Sequence, residues 1–195
     1  MYLQIRAMVT LLALMASLGL AIPEATAASE KLVFSISSGG TKTYEAVGTR
    51  MFRRTDGKML RVDRFGNWLE SSGETYSPHN GWLPSSEAIS VGMEWRHDYR
   101  KVVKSQRRTR TCQVRAQKEV SVGAGSFLAW EIKCTNLKHG AKRPTNEIIW
   151  FSVGSESVKR LQLLRFYHSC AGGCRPYSSE LVTWTMDGAA VASFE

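Results

Sequence analysis

Residues Cys112–Cys134 read CQVRAQKEVSVGAGSFLAWEIKC, and the fold can be built outward from this stretch. The two cysteines lie equally far from Gly123, so a chain reversed at that glycine sets them opposite each other. Gly123-Ala124-Gly125 supplies the backbone freedom that a tight reversal needs. The spacing predicts an antiparallel hairpin with Val114 opposite Ile132 and Ala116 opposite Trp130, while Arg115 and Gln117 share the other face.

Before the hairpin, Val91 to Arg100 alternates. Met93, Trp95, His97 and Tyr99 fall on one face of a strand, and Glu94, Arg96, Asp98 and Arg100 on the other, which predicts a half-buried strand with a solvated charged face. The densest basic run of the chain follows, and Arg100, Lys101, Lys104, Arg107, Arg108 and Arg110 are the candidate ligand-binding residues. On a strand these residues divide between two faces, so they reach one ligand together only if part of the run is a loop. A solvated rim and an anion site are the two readings of the cluster.

Toward the N-terminus, Leu32, Phe34 and Ile36 alternate with Val33 and Ser35. Ala46 to Arg53 and Met59 to Val62 flank Thr55-Asp56-Gly57, which predicts a second hairpin. Phe65-Gly66-Asn67-Trp68 predicts a further reversal, and the polar stretch Ser71 to Asn80 a surface loop. Toward the C-terminus, Asn136 to Thr145 reads as a loop. Glu147 to Val153 and Val158 to His168 read as strands apolar on both faces, with a turn at Gly154 to Ser157 between them, and Leu181 to Trp184 as one more strand. Helical periodicity is lacking over any long window after the first residues. The class expected is mainly β, an antiparallel sandwich or a partly closed barrel.

Residues 1–27 carry the pattern of a cleaved export signal: Arg6 in a short head, an apolar run from Met8 to Ile22, and small residues Ala25-Thr26-Ala27 at the cleavage point. Residues 28–195 are then expected to form a single exported β-rich domain, periplasmic or secreted, with no transmembrane segment in the mature chain. The formal net charge is +9 and is unchanged by removal of the signal, which holds one residue of each sign. For an exported protein, that excess fits an anionic envelope lipid, an acidic glycan or an acidic protein as partner, or serves solubility alone; nucleic acid is not expected.

Four cysteines in an exported chain favour two disulfides. The hairpin argument pairs Cys112 with Cys134 and leaves Cys170 with Cys174; pairings between the two sets remain the alternative. His168 precedes Cys170 in a His-x-Cys-x3-Cys group, but a fourth zinc ligand is not evident and oxidation favours the disulfide, so neither a metal nor a cofactor is expected. Gly-x-Ser-x-Gly, His-Glu-x-x-His and phosphate-cradling loops are absent.

Several short motifs keep a common order: Leu83-Pro84, Ile89 to Trp95, Glu119 to Phe127, Trp150-Phe151, and Val153-Gly154 with Val158-Lys159. From Trp82 to Lys159 this layout resembles a recurrent one in exported bacterial proteins of unassigned function. The resemblance implies a β-rich envelope-associated domain and transfers no catalytic residue. The chain departs from that layout in placing Leu83-Pro84 well before Val91, in having Gly123 where proline is common, and in its four cysteines.

Three functional readings follow. The first is a non-enzymatic exported binding or accessory protein of the bacterial cell envelope for an anionic or amphipathic ligand. The second is a hydrolase or lyase on an acidic polymer, using Arg108, His97 or Tyr99. The third is a protein-interaction module that uses the basic cluster.

Overall fold

The computed structural model describes residues 29–85, 88–153, 161–170 and 174–191. The export-signal reading of residues 1–27, the turn expected at 154–157 and the start of the strand expected at 158 lie outside the described residues. The N-terminal half holds six short strands: β1 (Glu30–Ile36), β2 (Thr41–Gly48), β3 (Met51–Arg54), β4 (Met59–Val62), β5 (Trp68–Ser71) and β6 (Glu74–Ser77). After a buried crossing segment come β7 (Glu94–Lys101), the long pair β8 (Gln106–Val122) and β9 (Gly125–Lys138), then β10 (Thr145–Ser152), β11 (Leu163–Cys170), β12 (Tyr177–Met186) and the two-residue β13 (Ala189–Ala190). Each strand pairs antiparallel with the next, and β1 pairs with β12, so β1 to β12 close a barrel while β13 only extends β12. Of the two architectures expected, the sandwich is therefore overturned, and the barrel is fully closed.

The hairpin of β8 and β9 reaches the expected cysteine pairing by a different route. Val122 pairs with Gly125, so the turn is centred between Gly123 and Ala124, one half-step off the expected centre. A bulge between Val114 and Ala116 restores the register, leaving Val114 opposite Ile132 and Cys112 opposite Cys134, but Ala116 opposite Glu131 instead of Trp130. The disulfide joins Cys112 and Cys134 at a Cα separation of 4.1 Å, and Cys170 is bonded to Cys174. Beyond the bulge the hairpin leans onto β12: Ala124 N donates to Leu181 O at 3.3 Å and Phe127 packs against Trp184 at 5.7 Å between ring centroids. Val120, Val122, Phe127, Leu164, Leu181 and Trp184 make a solid core at that end of the barrel.

Other expectations are corrected by the strand pattern. Ala46 to Arg53 is not continuous, because Thr49-Arg50 reverses the chain, with Arg50 at a φ of 62°. The stretch Ser71 to Asn80 contains β6, and the loop expected from Asn136 begins only after Lys138. The outer wall faces water. Glu94, Arg96, Asp98 and Arg100 are exposed on β7, as are Arg115, Gln117 and Glu119 on β8. Each Arg or Lys on a lipid-facing wall costs ~2–4 kcal/mol near a bilayer midplane.

Candidate functional site: a lumen with one apolar and one cationic wall

A cavity of about 690 Å³ occupies the barrel interior. It is floored at the end where β4 turns into β5 and where the segment before β7 crosses the barrel; Gly66, Asn80, Trp82, Gln162 and Leu163 line it there and are buried. At the other end it is lined by the exposed Ser72, Gly73, Val103 and Lys104, so it opens beside the β5–β6 and β7–β8 turns.

The floor is built from polar sequence that folds inward because its side chains replace backbone partners. Leu83 N donates to Asn67 Oδ1 at 2.7 Å and Asn67 Nδ2 donates back to Leu83 O at 3.2 Å. Trp68 N donates to Asn80 Oδ1 at 3.0 Å. Gly81 has a φ of 71°, and a Cβ there would sit 2.2 Å from the His97 ring, so only glycine lets the chain pass. His97 stacks on His79 at 4.2 Å and its Nε2 lies 3.0 Å from His79 O. Burial lowers the pKa of both histidines below the ordinary value.

Strand alternation gives the lumen two unlike walls. From β1 to β4 it presents Leu32, Phe34, Tyr44, Phe52, Leu60 and Val62. From β7 to β10 it presents Tyr99, Lys101, Arg108, Arg110, Asn136 and Glu147, because inward positions on these adjacent strands fall side by side: Arg110 opposite Asn136, and Cys134 opposite Glu147. The Cys112–Cys134 bond lies two residues below Arg110 and Asn136 on the same inward face and pins their register.

At mid-height Arg110 meets Glu147, both nearly fully buried. Arg110 Nη2 lies 3.0 Å from Oε2 and 3.2 Å from Oε1. Asn136 Nδ2 donates to Oε1 at 2.9 Å and to the Tyr99 hydroxyl at 3.0 Å, and Trp82 Nε1 donates to Oε2 at 3.2 Å. Burial works against ionisation of Glu147, but the Arg110 charge and the three donors outweigh it and hold the carboxyl below its ordinary pKa. The Arg110 guanidinium lies 5.0 Å from the Tyr99 ring centroid and 5.6 Å from that of Trp82. Yet its Nε and Nη1 are buried with no hydrogen-bond partner among the described residues, and so is Asn136 Oδ1. Nearer the mouth, burial, reinforced by Arg108 and Lys104, pulls Lys101 down to about 8, while burial pushes Tyr76 up to about 12.

The six basic candidates are thereby sorted. Lys101, Lys104, Arg108 and Arg110 line the lumen. Arg100 and Arg107 pair across β7 and β8 on the outer face, where with Lys104 they line a second, shallow concavity. Asn136 escaped sequence reasoning as a supposed loop residue, and Glu147, which the sequence offered only as a possible partner of His97, pairs with Arg110 instead; the available signal was a lone carboxylate heading the apolar run Ile148 to Phe151. His168 Nε2 lies 3.8 Å from Cys170 Sγ, but that sulfur is bonded to Cys174 and is no thiolate ligand.

No protein-family model matches the chain, and no curated protein matches it in sequence, so the layout resemblance from Trp82 to Lys159 has no family model behind it. Among solved structures, the chain is similar to the crystal structure of a "putative lipoprotein" from Parabacteroides distasonis ATCC 8503. The TM-score is 0.43 at 11% identity, over 80% of this chain and 95% of that one.

Proposed function

We propose that this protein is a non-enzymatic exported binding protein of the bacterial cell envelope, and that its lumen holds one amphipathic anion. The ligand's apolar part lies along the β1–β4 wall and its acid group meets Arg110, with Arg108 and Lys101 above it. The observation that carries this reading is the buried Arg110 guanidinium, 3% exposed, with two nitrogens unpartnered in a 690 Å³ cavity. Buried donors are normally satisfied, and an unfilled one costs ~1–3 kcal/mol, so the site is built for an acceptor. The volume falls within the range of small-molecule pockets.

Net charge supports an anion. Lys42, Lys101, Lys104, Arg108 and Arg110 line the cavity against the carboxylates Glu74 and Glu147, and Glu147 is taken up by Arg110. Two disulfides and the leader-like residues 1–27 support an oxidising, extracytoplasmic location.

A hydrolase or lyase has less support. Tyr99 and Arg108 line the lumen, but His97 is occupied by His79 beneath the floor, and Glu147 is held by three donors and the Arg110 charge, which lower its basicity and make it a poor general base. Native mass spectrometry of the protein purified after export tests the proposal. The expected spectrum carries one anionic amphipathic adduct per chain, which disappears in the doubly neutral Arg110→Gln/Glu147→Gln variant. A wild-type protein that carries no adduct and takes up none from added dodecanoate overturns the proposal.

A further inference from the structure

We infer that the open end of the barrel docks on an anionic lipid surface, with the β7–β8 turn inserted at its interface. The inference deepens the proposed function by naming where the amphipathic ligand is exchanged.

The turn is Val102 to Ser105, and Val102 and Val103 are 44% and 68% exposed, Val103 being the most exposed large apolar residue described. This exposure is held in place. Val102 N donates to Thr75 O at 2.9 Å, Val103 N to the buried carboxylate of Glu74 at 2.9 Å, and Ser105, at a φ of 50°, closes the turn by donating to Val102 O at 3.1 Å. Two polar anchors from β6 thus present two valines to solvent, an arrangement that solubility alone does not call for.

Cations surround the valines. On the outer side of the same turn Arg100, Lys104, Arg107, Lys138 and His139, with Ser105 and Gln106, line a concavity of about 450 Å³. Its size and exposed cationic lining suit a phosphate headgroup, and Lys58, Lys142 and Arg175 stand exposed on other turns of this end. Of the carboxylates near this end, Asp56 is ion-paired with Arg54 and Lys58 and Asp98 with Arg96, while Glu74 is buried and accepts from Val103 N through one oxygen. At the opposite end Glu30, Asp63 and Asp187 are mixed with Arg50 and Arg64. A protruding apolar tip inside a cationic ring matches the layering of a bilayer surface, where apolar groups sink past phosphates that hold the cations. The same turn lines the lumen through Val103 and Lys104, so docking brings the cavity mouth to the lipid.

The test is flotation with vesicles of phosphatidylcholine alone and of phosphatidylcholine mixed with phosphatidylglycerol, at low and high NaCl. The expected result is partition onto the mixed vesicles only, weakened by salt, weakened about thirty-fold by Arg107→Gln/Lys138→Gln and several-fold by Val102→Ser. None of these three residues lines the lumen, so binding of soluble dodecanoate is expected to be unchanged in the variants. Equal partition onto neutral vesicles, indifference to the substitutions, or full competition by free glycerol phosphate overturns the docking. If docking survives in Arg110→Gln/Glu147→Gln while dodecanoate binding is missing even in the wild type, the lumen reading fails and the docking face stands.

Discussion

Glu147→Gln is expected to weaken the fold and strengthen the ligand complex at once. Glu147 is 4% exposed and is the only carboxylate among the described residues within ion-pair reach of Arg110. Glutamine keeps the shape but removes the charge, leaving a buried guanidinium without its counter-ion, and its amide hydrogens replace acceptor positions now used by Arg110, Asn136 and Trp82. Breaking a buried pair from one side costs ~3–5 kcal/mol. For a chain of this length, 1 kcal/mol is worth ~2–4 °C in Tm, so a fall of about 6–20 °C is expected. The ligand's acid group then becomes the sole counter-ion, and dodecanoate should bind at least about tenfold tighter than to the wild type, or ~1.4 kcal/mol. Thermal unfolding followed by circular dichroism, with and without dodecanoate, reads both effects. A Tm within about 2 °C of the wild type, or a smaller ligand-induced rise in the variant, refutes the reasoning.

Lys101 gives the pH dependence. Its free pKa is about 8, a bound anion raises it, and so above pH 8 binding draws a proton onto the lysine. Anion affinity should fall as pH rises through that value, with proton uptake seen by calorimetry in two buffers of different ionisation enthalpy, and Lys101→Met should flatten both. Glu147 sets the acid limb. Its lowered pKa contributes stability in full above the unfolded value near 4.5 and loses it as pH falls through the folded value, so urea midpoints below pH 4.5 should drop less steeply in Glu147→Gln. Replacing Cys112 and Cys134 by alanine should cost ~2–4 kcal/mol and also weaken dodecanoate binding, whereas the same change at Cys170 and Cys174 should cost less, because the closed loop is shorter; denaturant titration separates them. Gly81→Ala combines a left-handed φ with a clash against the His97 ring, and a loss of at least ~2 kcal/mol with a red-shifted tryptophan emission as Trp82 leaves the floor is expected.

Local periodicity carried much of this architecture in the sequence. The alternation of Met93 to Arg100 was legible because one face is charged throughout, and the same strand period implied that the basic run after it divides between two faces, though not that one of them lines a lumen. The cysteine pairing was legible too, although for a reason partly wrong: the half-step in the turn and the bulge at Arg115 cancel. Barrel closure was not legible, because β1 and β12 pair across nearly the whole chain and nothing local records a partner that distant. The reversal at Thr49-Arg50 was hidden because arginine, not glycine or asparagine, takes the positive φ. The cluster of Asn136 and Glu147 was hidden for a related reason: nothing local marks a polar residue as buried until its partners are known, and besides each other those partners come from β7, β8 and the floor.

The central claim is that Arg110 reads an acid group on an otherwise apolar ligand. Equilibrium binding of a matched pair, dodecanoate and dodecanol, measured by displacement of a fluorescent fatty acid, addresses it most directly. One charge-assisted hydrogen bond to a buried guanidinium is worth ~1.5–3 kcal/mol, so the acid should bind about ten- to a hundred-fold tighter than the alcohol, and most of that preference should be lost in Arg110→Gln/Glu147→Gln, leaving the smaller share due to Arg108 and Lys101. Equal affinity for acid and alcohol in the wild type contradicts the claim.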